Sequence, residues 1–152
     1  MAYTLFKFLH VTGAIVWVGG VIMLAVLHAR LAAGGAGPGQ ASLAHISGVL
    51  GRTMVGPAAA LTLVAGVAAA GIGGSMGALW TTYGFVGILV SMGLGSTAIR
   101  RTTTALQSAL VVPAVSGAAD LDSLRSRLTI LNLCNVAVLL SVVAAMVFKP
   151  TL

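Results

Sequence analysis

Apolar residues run almost unbroken through four stretches of the chain: Tyr3 to Ala33, Ser42 to Gly71, Leu79 to Arg101 and Leu124 to Phe148. A hydrocarbon core ~30 Å thick is crossed by about 20 helical residues, so each stretch predicts one transmembrane helix. The expected fold class is an all-α membrane protein, a four-transmembrane-helix antiparallel bundle forming one integral membrane domain over residues 1–152. Gly34, Gly35, Ala36, Gly37, Pro38 and Gly39 punctuate the chain after the first span, and an uncharged glycine-rich turn, Gly71 to Gly77, follows the second. The third connection is longer and holds Pro113, Asp120 and Asp122, whose carboxylates are placed to accept the free amide protons of a fourth helix. A secretory leader is the competing reading of the first stretch, with Lys7 ahead of an apolar run and small Ala32 and Ala33 behind it. The length of that run and the three spans after it favour a helix that stays in the membrane.

Composition agrees. Of the 152 residues 59% are hydrophobic and 7% charged, with a mean hydropathy of +1.09, too apolar for a soluble domain. Eight Lys+Arg against two Asp+Glu give a net charge of +6, which in a membrane protein reports topology and contact with anionic headgroups, not nucleic acid. Arg30, Arg100, Arg101, Arg125 and Arg127 flank the first and third connections, whereas Lys7 and Lys149 alone lie near the termini, so the positive-inside rule places both termini outside. Trp80 and Tyr83 fit an aromatic belt at the outer end of the third span. The single cysteine, Cys134, makes no internal disulfide and reads as a small buried apolar residue.

Helices in lipid associate through close packing, for which Gly87, Ser91 and Gly95 offer a small-residue ridge at four-residue spacing, as do Gly48 and Gly56 around Arg52. The informative residues are the polar ones a bilayer should exclude: His10, His28, His45, Arg52, Asn132 and Asn135. At about 100° per residue, His10, Trp17 and His28 fall within about 20° of one helix face. The two histidines are about 27 Å apart along the axis and belong to different sites. His28 and His45 sit at similar depth in the first helical hairpin, where two imidazoles are placed to share a haem or a copper ion, or else to reach the inner headgroups. Arg52 lies about 10 Å deeper than His45 and needs an anionic or carbonyl partner. Its candidates are Asn132, Asn135, a lipid phosphate, a haem propionate, or a backbone carbonyl such as that of Thr53, which Pro57 deprives of its helical donor. Asn132 and Asn135 share a face and are expected to bond across helices. Met54, Met92 and Met146 are potential copper(I) ligands, with core packing as the competing role.

From Leu9 and His10 through Trp17, Gly19 and Gly20 the pattern L-H-x6-W-x-G-G resembles the first helix of a superfamily of small membrane proteins. That group holds the copper resistance protein D family, the membrane-bound protoporphyrinogen IX oxidases and uncharacterised four-helix members, to which the resemblance is closest. The resemblance implies a haem site at His10, with Trp17 and Gly20 shaping that helix face and His28 loosely matching a second histidine.

The leading expectation is a bacterial inner-membrane, multi-pass haem b protein with an electron-transfer or oxidoreductase role, exchanging electrons with a quinone. His10 is the axial-ligand candidate, Trp17 shapes its helix face, His28 and His45 are candidates for a second metal site, and Arg52 is a candidate propionate partner. No catalytic residue follows from the sequence. One alternative is a non-catalytic accessory or anchoring subunit of a larger membrane complex or homo-oligomer. Another is metal or small-solute transport.

Overall fold

The computed structural model describes residues 1–33, 38–111 and 118–149, and every element among them is helical. In chain order these are α1 (Ala2–Ala33), α2 (Pro38–Leu50), α3 (Gly56–Ile72), α4 (Leu79–Gly93), α5 (Arg100–Val111) and α6 (Ala118–Phe148). A π-helical stretch, Gly51–Val55, joins α2 to α3, and another, Leu94–Ile99, joins α4 to α5. The result is four rods long and apolar enough to cross a membrane: Ala2–Leu31, Ser42–Ile72, Leu79–Leu110 and Asp120–Phe148. Gly34 to Gly37 and Pro113 lie outside the described residues.

Large apolar side chains such as Ile15, Val64, Leu89, Leu133 and Leu140 point outward, the arrangement a lipid solvent favours and water does not. The interior combines small groups such as Ala59, Ala65, Thr62 and Ser91 with Trp17, Ile88 and several leucines. Toward the chain termini α1 packs on α3 and α6, and α4 packs on the same two, so α1 and α4 stand on the diagonal of the bundle. At the other end α2 and α5 replace α3 and α4 in the same ring.

Glycine makes these approaches possible. A Cβ on Gly13 would stand 2.7 Å from the Thr62 hydroxyl and 3.2 Å from its backbone nitrogen, so α1 and α3 meet nearly backbone to backbone. Gly20 receives Val55 in the same way, and Gly84 and Gly87 of α4 receive Met146 and Val142 of α6. Of the expected ridge Gly87, Ser91 and Gly95, the first two face α6, while Gly95 faces open space.

Both π stretches interrupt the spans at informative places. Pro57 has no N–H to offer Thr53, and the chain widens its turn just before it, with the amide of Gly56 bonding the carbonyl of Gly51 five residues back. The turn between α3 and α4 uses glycine's freedom at one position: Gly74 takes φ +67 while Ser75 donates back to the Ala70 carbonyl, closing the helix end.

The third rod runs nine residues beyond the Arg101 expected to end it, to Leu110. Thr102 and Thr103 turn their hydroxyls onto carbonyls four residues back, and Leu106 and Leu110 are buried in a cluster with Leu31, Ala44 and Leu128. That buried stripe pulls a polar-looking segment into the helix. The fourth rod starts earlier than Leu124, at Ala118, with Asp120 in its first turn and Asp122 3.4 Å from Arg125.

Candidate functional site

His10 is half-buried on α1 and its ring rests on Gly66, where any Cβ would stand 2.7 Å from Nδ1. The same nitrogen lies 2.8 Å from the carbonyl oxygen of Thr62. A carbonyl only accepts, so Nδ1 is the donor, and the tautomer this bond selects has its lone pair on Nε2. The Thr62 hydroxyl turns back to Ala58, which leaves its carbonyl to the histidine and to the helix.

His10 lines a partly open cavity of about 570 Å³ to which all four rods contribute, within the ~300–1,000 Å³ typical of small-molecule and cofactor sites. Trp17, Ile88 and Leu139 form its floor and are part of the buried core. Trp80, Phe85 and Met146 line its walls. Tyr3, Lys7 and Lys149 are exposed and lie where α1 begins and α6 ends, so a mouth opens at the end of the bundle that carries both termini, and exposed Val11, Ile15 and Val143 line the cavity along the α1 and α6 side as well. His10 and Trp17, one helix face in the sequence, thus share one cavity.

Thr81 of α4 lines the same cavity from the diagonal opposite α1. It is 2% exposed, and among the described residues its hydroxyl has no hydrogen-bond partner, whereas the other buried threonines there, Thr62, Thr102 and Thr103, all bond a carbonyl four residues back. Nothing in the sequence marks Thr81. Its role in the cavity comes from the orientation of α4.

The other polar candidates lie elsewhere. His28 is buried and its Nδ1 stands 2.9 Å from Nδ2 of Asn132, which also donates to the Leu128 carbonyl at 2.7 Å. The amide nitrogen is therefore the donor, Nδ1 of His28 accepts, and its proton sits on Nε2, buried without a partner. In that arrangement Nε2 of His28 presents a proton and the lone pair on Nδ1 is taken up by Asn132, so neither nitrogen has a lone pair free for a metal. His45 is exposed on α2 and makes no hydrogen bond among the described residues, so the two histidines occupy different environments. Arg52 is also exposed and donates Nε to the Gly48 carbonyl at 3.3 Å, one of the carbonyl partners its depth demanded. Asn135 accepts a 2.6 Å hydrogen bond from Ser91 of α4, so both asparagines do bond across helices. Cys134, expected to be buried, is exposed on the outer face of α6. Among the described residues no three His, Cys, Asp or Glu side chains gather into a metal-binding group.

Fold and site together define a four-helix membrane protein with a histidine-lined cavity opening at one end of the bundle. The chain matches no protein-family model, no curated protein and no solved structure.

Proposed function

We propose that the His10 cavity binds haem b and that the protein serves electron transfer in a bacterial inner membrane, with quinone as the lipid-soluble partner. The observation that carries this reading is the Nδ1–H hydrogen bond to the Thr62 carbonyl. Histidines that ligate a metal characteristically donate their other ring N–H to a carbonyl or carboxylate, which fixes the tautomer and aims the free nitrogen. The aromatic and aliphatic walls suit a macrocycle, and Trp17 closes the cavity beneath it. When bound, the iron would supply one-electron chemistry. His10 holds the ligating nitrogen, Gly66 leaves the room its ring requires, and the apolar floor excludes water from the site.

The arginine-rich ends of the first and third connections support an orientation with the cavity mouth on the outer face. The test is a dithionite-reduced minus air-oxidised spectrum of protein purified from haem-supplemented cells, with His10→Ala alongside. A b-type band in the wild type that the variant loses is the expected result. No band in either would refute the reading.

A further inference from the structure

Lys7 and Lys149 line the cavity mouth, and among the described residues neither forms an ion pair with a carboxylate. The two acidic residues of the chain, Asp120 and Asp122, lie at the far end of α6, and 29 helical residues put Asp120 about 43 Å from Lys149. Lysines near a membrane surface normally extend toward water. These two bend over aromatic rings of the same mouth, with Nζ of Lys149 5.4 Å from the Trp80 ring centre and Nζ of Lys7 6.0 Å from that of Tyr3. Lys149 also takes φ 45, the left-handed backbone that a residue with a Cβ adopts at a cost, immediately after α6 ends.

We propose that Lys7 and Lys149 form a two-point anion clamp, so that the cavity takes an amphiphile whose apolar body lies against Trp17 and Phe85 and whose anionic head lies between the two ammoniums. This rests on the haem reading for its first ligand, because haem b is an apolar disc with two carboxylates on one edge. It assigns the propionates to Lys7 and Lys149 in place of Arg52, which does not line the cavity. A phospholipid phosphate presents the same chemistry, and the test separates the two sources.

The full chain in phosphatidylcholine nanodiscs is titrated with haem and with haem dimethyl ester, following the Soret shift, for the wild type and for Lys7→Gln/Lys149→Gln. Two partly exposed ion pairs are together worth about a tenfold change in Kd, so the double variant should bind free haem about tenfold more weakly. The ester, which lacks the charges, should bind both proteins equally, which also shows that the variant is folded. Unchanged affinity of the variant for free haem overturns the clamp, and so does an equal loss for the ester; in both cases the Soret shift survives and the haem reading stands. If neither ligand shifts its Soret band in the wild type, the haem reading fails, and native mass spectrometry from mixed lipid decides the clamp. Phosphatidylglycerol retained by the wild type and lost from the variant supports the clamp with a lipid phosphate, whereas equal retention overturns it.

Discussion

Nδ1 of His10 on α1 and the carbonyl oxygen of Thr62 on α3 are 2.8 Å apart, and Gly66, one turn beyond Thr62, is the floor on which the imidazole rests. One hydrogen bond and one missing side chain therefore fix both the tautomer and the orientation of the ring. The cavity is built around that pairing, since α1 and α3 must approach closely for His10 to reach a helix carbonyl at all.

Gly66→Ala is expected to push the His10 ring off Thr62, because the added methyl would stand 2.7 Å from Nδ1 and 2.9 Å from Cε1. Haem affinity, read by Soret titration, should fall toward that of His10→Ala. Gly95→Ala, where a Cβ meets nothing within 4 Å, should leave it unchanged. Equal binding by all three variants would separate the cavity from haem.

Gly13→Ala tests the seam itself. The new methyl would meet a backbone nitrogen at 3.2 Å, which cannot move aside alone, so overpacking should cost about 1–3 kcal/mol. Thermal unfolding in detergent should show a lower midpoint. Gly19→Ala, facing open space on the same helix, should be neutral or slightly stabilising, since alanine favours the helix by ~1 kcal/mol.

The two asparagines of α6 make different predictions. Ser91→Ala removes one neutral hydrogen bond from Asn135, and such bonds in membranes average about 0.6 kcal/mol with a maximum near 1.7, so a small loss is expected. Asn132→Leu strips the partner from His28 Nδ1 while Nε2 is already unpaired, leaving a buried ring with both nitrogens unsatisfied. Its unfolding midpoint should fall further than that of Ser91→Ala; the reverse order would contradict the hydrogen-bond assignment.

Orientation is open to direct labelling. In a Cys134→Ala background, Ser75→Cys in the α3–α4 turn should react with a membrane-impermeant maleimide added outside intact spheroplasts. Protection until the membrane is permeabilised would place the cavity mouth on the inner side.

The four-rod architecture was legible because a bilayer imposes a length and a polarity on anything that crosses it, and both are one-dimensional properties of the chain. The face shared by His10 and Trp17 was legible for a related reason: it depends only on helical period. The extension of the third rod past Arg101 was hidden, since the burial of Leu106 and Leu110 depends on α2 and α6 arriving beside them. Thr81 was hidden too, as an ordinary helix-start threonine until α4 turned it inward.

Hydropathy and periodicity act along one chain segment at a time, so an all-helical membrane protein, its four spans, its charge asymmetry and the helix face that bears His10 and Trp17 could all be read from the chain alone. Only the tertiary structure decided that His10 rather than His28 faces a cavity, that Asn132 occupies His28, that Arg52 turns to its own helix, and that Lys7 and Lys149, 142 positions apart in the chain, share one mouth. Those outcomes depend on which helix face meets which neighbour, and glycines spaced along α1, α3 and α4 set that register by fixing how closely the backbones approach.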